Sequence, residues 1–108
     1  MSYNRDMISI KKTATFEKWI RSLPDKNAVA RINIRIKRLH LGNPGDIKSV
    51  GGGIFELRID YGPGYRIYIY KYKNTIIVLM NGGDKSTQSK DIEKAKILLK
   101  EIGDIDEQ

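Results

Sequence analysis

Arg58 and Arg66 flank a Gly62-Pro63-Gly64 turn in the stretch ELRIDYGPGYRIYIY, residues 56–70, with four tyrosines among them. Guanidinium groups offer planar forks of N–H donors that match phosphate oxygens, and tyrosines can stack on bases or donate hydrogen bonds. Such residues suit one reaction of RNA, in which a 2′-hydroxyl attacks its own neighbouring phosphodiester. Arginine and lysine stabilise the pentavalent transition state, and a carboxylate, a tyrosine or a desolvated lysine moves the protons at the two oxygens. A plainer role competes with this one. Arg58 with Glu56, or Arg66 with Asp60, can form cross-strand ion pairs worth about a few tenths of a kcal/mol each.

Other chemistries find less support. There is no cysteine, which removes disulfides, thiolate metal sites and thiol nucleophiles and fits a reducing cytoplasm. The lone histidine, His40, falls at the expected end of a helix and has no partner for a histidine-centred metal site. Gly51-Gly52-Gly53 and Gly82-Gly83 lack the spacing of a phosphate-binding loop, and no serine stands in a nucleophile elbow. No cofactor and no metal are expected. Neither a charged-then-apolar leader nor an apolar run long enough to span a bilayer is present.

The charge balance agrees with a polyanionic partner. The chain of 108 residues carries 20 Lys and Arg against 13 Asp and Glu, a net charge of +7. Its excess lies in residues 1–48, with 11 basic and 4 acidic side chains, while the remainder holds 9 of each. A chain of this length fits one domain, with residues 1–6 and 104–108 expected to be flexible ends.

The elements that must position these groups can be read from periodicity. Ile8–Lys11 reads as a strand. Thr13 or Thr15 then caps a helix carrying Phe16, Ile20 and Leu23, which Pro24-Asp25 breaks. Asp25 caps a second helix reaching Leu41, with Gly42 beyond its end. On it Val29, Ile32, Ile36 and Leu39 form an apolar stripe, and Arg31, Arg35 and Arg38 form a basic ridge beside Lys37.

After Gly45-Asp46 the period becomes that of strands, at Ile47–Val50, Ile54–Asp60, Tyr65–Tyr72 and the nearly all-apolar Thr75–Met80. Asn81–Ser86 reads as a loop. A last helix runs from about Thr87 to Ile102, with Ile92, Ala95, Leu99 and Ile102 on one face and Gly103 as its stop. The fold class is α+β, two N-terminal helices on a mainly antiparallel sheet plus a C-terminal helix.

Side-chain alternation makes hairpin register decisive. A three-residue Gly62–Gly64 loop pairs Tyr61 with Tyr65 and Asp60 with Arg66. Leu57, Ile59, Ile67 and Ile69 then face inward. Glu56, Arg58, Asp60, Arg66, Tyr68 and Tyr70 share the other, solvated face.

The run from Gly45-Asp46-Ile47-Lys48 through Gly51-x-Gly53-Ile54-x-Glu56-Leu57-Arg58-Ile59 to Gly62-Pro63-Gly64-Tyr65-Arg66-Ile67-Tyr68 resembles the RelE/ParE toxin superfamily, in its HigB-like branch of addiction-module killer proteins. Gly82-Gly83-Asp84-Lys85-Ser86-Thr87-Gln88 with Asp91-Ile92 and Ala95-Lys96, and Lys11-Lys12-Thr13 with Phe16 and Trp19, carry the same resemblance, which spans most of residues 8–102.

The resemblance implies the toxin of a type II toxin–antitoxin pair, acting in the cytoplasm as a metal-independent mRNA endonuclease on the ribosome. Its partners would be ribosome and mRNA, and a cognate antitoxin of helix-turn-helix type from an adjacent gene. By position, Arg66 matches a phosphate-stabilising catalytic arginine, Arg58 a basic residue of the preceding strand, and Lys85 the place of a second catalytic arginine. Tyr68, Lys48, Arg31, Arg35 and Arg38 are assigned to RNA binding, and Asp60 and Asp84 to possible proton transfer. This chain departs from RelE where catalytic lysines are replaced by Ile54 and Glu56, and a catalytic tyrosine by Asp91. Those departures leave two alternatives: a ParE-like gyrase inhibitor and an inactive toxin-like binding module.

Overall fold

A computed structural model describes residues 8–106 of the chain, with side chains as far as Gly103. The expectation for residues 1–6 lies outside the described residues, as does that for residues 107–108.

The elements run β1 (Ser9–Lys12), α1 (Ala14–Ser22), α2 (Lys26–His40), β2 (Ile47–Gly51), β3 (Ile54–Ile59), β4 (Tyr65–Tyr72), β5 (Ile76–Asp84), one 3-10 turn (Lys85–Thr87) and α3 (Gln88–Asp106). Thr13 is the cap of α1. Its hydroxyl accepts from the Phe16 N–H at 3.0 Å and donates to the Met80 carbonyl at 2.5 Å, so one side chain starts the helix and ties it to β5. Asp25 caps α2 through the N–H groups of Asn27 and Ala28, at 2.9 and 3.2 Å. His40 ends α2 with Nδ1 donating to the Ile8 carbonyl at 2.5 Å.

The sheet has the order β1-β5-β4-β3-β2, with β1 parallel to β5 and every other pair antiparallel. Leu57, Ile59, Ile67, Ile69, Ile77 and Leu79 face α1 and α2, whose Phe16, Ala28, Ile32 and Leu39 complete the main core. The opposite face is not solvated along its length. Ile54, Tyr68 and Met80 pack there with Ala95 of α3, flanked by Ile92, Leu98, Leu99 and Ile102. The fold is therefore α+β in three layers, and the amphipathic stripe of α3 finds its partner on the second sheet face.

Three local expectations are corrected. The β3–β4 hairpin pairs Ile59 with Tyr65 and Arg58 with Arg66, leaving the five residues Asp60–Gly64 as its loop. Gly62 and Gly64 adopt left-handed φ of 58° and 81° within it, a choice open to glycine at little cost. The pairing has moved by two residues, and because strand side chains repeat every two, the division into faces is preserved.

β5 continues through Asn81–Asp84, where a loop was expected. Gly82 and Gly83 make that possible because helices crowd both faces. A Cβ at Gly82 would lie 2.3 Å from the Trp19 ring, and one at Gly83 only 1.8 Å from Asp91 Oδ2. Finally, α3 passes through Gly103, which is absent from the left-handed residues, so the helix is not stopped there.

Substitutions at these glycines should divide by sign. Gly82→Ala and Gly83→Ala are each expected to lose stability in urea unfolding, by about 1–3 kcal/mol or more, because Trp19 or Asp91 must move. Gly103→Ala, with no described atom near its Cβ position, should gain about 0.5–1 kcal/mol from helix propensity.

Candidate functional site

The hairpin register sets Arg58 directly across from Arg66. Opposed like charges in an antiparallel pair destabilise it unless other groups compensate. Each arginine has its own carboxylate. Arg58 reaches Asp46 Oδ1 from Nη2 at 2.8 Å and from Nε at 3.2 Å. Arg66 Nε lies 3.9 Å from Glu56 Oε2. Asp46 stands beside the strand in solvent, whereas Glu56 is buried behind Arg66, so the two guanidiniums are held differently.

Arg58, Arg66 and Lys85 line one open groove of about 510 Å³, with Asp46, Asp60 and the glycine-flanked Pro63 on its walls. Lys85 enters from the turn that follows β5, and the bare Cα of Gly64 leaves room beside it. Three cations from separate elements thus face one space, with two carboxylates at its edge. Such an arrangement can hold a phosphodiester in forked hydrogen bonds and neutralise charge that develops on it.

Behind the groove lies a polar row across the sheet, formed by Glu56, Tyr68 and Asn81 on β3, β4 and β5, all buried. Glu56 Oε2 accepts from the Tyr68 hydroxyl at 3.1 Å and from Gln88 Nε2, at the start of α3, at 2.7 Å. Its Oε1 and the Arg66 Nε have no hydrogen-bond partner among the described residues. Burial, the Glu56 charge and the bond to Glu56 push the Tyr68 phenol well above its ordinary value of 10.0, with Asp91 adding to the shift and Arg66 opposing it.

Other residues expected at the site stand elsewhere. Tyr68 is fully buried beneath α3 and has no face for a nucleotide, which corrects its assignment to RNA binding. Arg35 is a clamp. Its Nη1 donates to the Arg58 carbonyl and its Nη2 to those of Pro44, at 2.9 Å, and Asp46, at 3.2 Å, which fastens α2 to the start of the hairpin. Burial lowers its pKa, with Asp46 opposing that shift and Arg38 adding to it.

Arg31 lies over the Tyr61 ring at 4.5 Å. With Arg35, Arg38 and Ile34 it lines a smaller groove of about 240 Å³ that shares Ile59 and Asp60 with the first. Lys48 is exposed on edge strand β2, in register with Glu56. Asp60 is an exposed loop residue in the cationic groove.

Asp84 is outside that groove. It caps the 3-10 turn by accepting from the Ser86 N–H and hydroxyl, and those bonds hold its carboxyl below the usual carboxylate range. Asp84 is therefore a cap of the turn, and of the two carboxylates assigned to proton transfer only Asp60 lines the cationic groove. Gln88 was the member missed at the sequence level. It stood in the Gly82–Gln88 motif without a role, and the signal for its position was its place one turn before the apolar stripe of α3.

The raised Tyr68 pKa has a sign. The folded chain retains the phenolic proton more tightly, so its contribution to stability is fully present below about pH 10 and is lost as pH rises toward the folded value. Tyr68→Phe should cost about 1–3 kcal/mol at neutral pH by removing a donor from Glu56. It should also flatten the decline in urea stability above about pH 10 relative to wild type. Equal alkaline slopes in the two proteins would contradict the buried Tyr68–Glu56 bond.

Comparison with known proteins supplies the family. Residues 18–100 match the family described as "Phage derived protein Gp49-like (DUF891)". A protein of Haemophilus influenzae, named only as an uncharacterized protein, is 56% identical over 96 residues, 89% of this chain and 97% of its own. Among solved structures, a chain in the crystal structure of the toxin–antitoxin complex RelBE2 from Mycobacterium tuberculosis has the same fold, with a TM-score of 0.58. That likeness covers 73% of this chain and 99% of the other, at 18% identity. The matched segment takes in both arginines, Lys85, Glu56 and most of α3, and the chain belongs to the Gp49-like family of phage-derived proteins.

Proposed function

We propose that this protein is the toxin of a type II toxin–antitoxin pair and that it cleaves mRNA in the A site of the ribosome. The observation that carries the reading is the pairing of Arg58 with Arg66 across the hairpin, with Lys85 beside them in an open groove. The fold shared with a chain of the RelBE2 complex supports the toxin assignment, and the sequence motifs support the HigB-like branch. A cognate antitoxin, of helix-turn-helix type and encoded next door, is the partner that would keep the protein silent in the cytoplasm.

In this reading Arg66 holds the scissile phosphate and Arg58 and Lys85 steady the charge that grows on its oxygens. The 2′-oxygen forms its bond to phosphorus as the bond to the 5′-oxygen breaks. Asp60, which lines the groove, would take the 2′-hydroxyl proton, and water would return one to the leaving oxygen. Lysine at position 85 supplies a point charge in place of a fork. Arg31, Arg38 and Lys48 are exposed and extend the cationic surface along the strand's path.

One observation favours the gyrase reading. The positions at which RelE has lysines are held here by Ile54 and Glu56, both fully buried, so neither presents a group to a substrate. Expression without antitoxin separates the readings. Mapping mRNA ends after induction should show cuts within translated codons. Intact mRNA with induced DNA-damage signalling would replace the nuclease with a gyrase inhibitor, and unimpaired growth would indicate an inactive binding module.

Arg66→Ala should abolish growth inhibition and reduce cleavage about 10²–10³-fold, the usual loss when one transition-state donor is removed. Arg66→Lys should recover only part of it. Antitoxin capture and urea unfolding should show that both variants remain folded. Undiminished toxicity of folded Arg66→Ala would remove the catalytic role.

A further inference from the structure

The last residues of β5 are bordered by a strand on one side only. Pairing with β1 stops at Lys12 and Leu79, and the Thr13 hydroxyl takes the next carbonyl, that of Met80. Beyond it, the described residues place no strand next to Asn81–Asp84 on that side, although β4 continues along the other. α1 and α3 stand over this open edge and enclose a groove of about 540 Å³. Its size is that of a small-ligand site.

The groove has particular demands that the protein itself leaves unmet. Gly82 and Gly83 line it with Trp19 and Asp91 packed over their Cα atoms, so the backbone left open to an occupant is the strand edge. Asn81 is buried, and its Nδ2 is fixed by the Asp91 carbonyl at 3.0 Å, which leaves Oδ1 without a partner among the described residues. Trp19 forms one wall, seated on Gly82.

Of the charges, the acids are already engaged. Asp91 accepts from the Thr87 hydroxyl at 2.5 Å, and Asp84 accepts from Ser86. Lys18 on α1 and Lys94 on α3 are exposed on opposite banks and make no ion pair among the described residues. An open backbone edge, an indole and two ammonium groups without an ion pair among the described residues together suit a nucleotide. The base would meet the edge and the ring, and the phosphates the lysines.

We infer that this groove binds a nucleotide of single-stranded RNA, as a second subsite for the strand whose phosphate lies at Arg58, Arg66 and Lys85. The inference rests on the nuclease reading above. The turn after β5 is the wall between the two sites, with Lys85 facing one groove and Asp84 and Thr87 facing the other. One strand crossing that turn reaches both.

Trp19 is the only tryptophan in the chain, so its emission reports one wall of this groove together with Phe16 and Tyr65, on which it packs. A 5′-labelled single-stranded RNA of about eight nucleotides, within the usual site size, would be titrated at low salt, following label anisotropy and Trp19 emission together. The expected result is a saturable change in Trp19 emission that tracks anisotropy. Lys18→Glu with Lys94→Glu should weaken binding on the order of tenfold or more while leaving thermal unfolding unchanged. Arg66→Ala should weaken binding but keep the Trp19 response at saturation.

RNA binding without a Trp19 response, and insensitive to the two lysine reversals, would overturn the second subsite and leave the first intact. No RNA binding by either signal would overturn the nucleic-acid reading of both grooves. A Trp19 response to an acidic peptide, with none to RNA, would make the open edge a peptide site and overturn the proposal.

Discussion

The structure depends on one buried carboxylate. Glu56 has no exposed surface, and a polar group out of water costs free energy unless partners meet it. Tyr68 meets it from the neighbouring strand, Gln88 from the first turn of α3, and Arg66 faces it from the groove. Two of these partners lie on β4 and the third on α3, so one side chain of β3 ties a neighbouring strand and a helix together. α3 can lie over this carboxyl group because its apolar stripe also covers Ile54 and Met80, at about 1.5–3 kcal/mol for each large side chain fully buried. Arg66, its side chain 13% exposed, thereby has Glu56 behind it while it lines the groove.

The same economy of space appears at Gly82 and Gly83. Trp19 approaches β5 from one face and Asp91 from the other, closer than any Cβ would allow. Strand β5 can then continue as far as Asp84 and place Lys85 at the cationic groove. Its open edge, between α1 and α3, is a consequence of the same crossing. Two grooves therefore share one turn, and each is made by a strand that extends beyond its neighbour or opposes a like charge.

Much of this was legible in the sequence, for physical reasons that differ by element. Asp25, and Thr13 or Thr15, marked helix starts because a side-chain oxygen beside an apolar period has few better uses, and the structure selects Thr13. The two faces of the hairpin were legible because alternation survives a shift of two residues. The register was not, since glycines at 62 and 64 permit loops of three or five residues.

The polar face looked solvated because Arg, Glu and Tyr are read as surface residues one at a time. Only the unpartnered stripe Ile92, Ala95, Leu99 and Ile102 could have indicated a helix above them. Gly-Gly-Asp reads locally as a loop, and its strand conformation is imposed by Trp19 and Asp91 from distant elements. Arg58, Arg66 and Lys85 were nameable in advance and do line one groove. Tyr68 and Arg35 were not distinguishable from them, because burial and backbone clamping are properties of the assembled layers.

The central claim is that the opposed arginines form a phosphodiester site. It is tested most directly by following the Nε–Hε signals of the arginines in ¹⁵N-labelled protein while adding a short RNA whose 2′-hydroxyls are methylated to prevent cleavage. Arg58 and Arg66 should shift together with one common affinity, while Arg35, held by backbone carbonyls, stays in place. Shifts confined to Arg31 and Arg38, with Arg58 and Arg66 unmoved by bound RNA, would contradict the account.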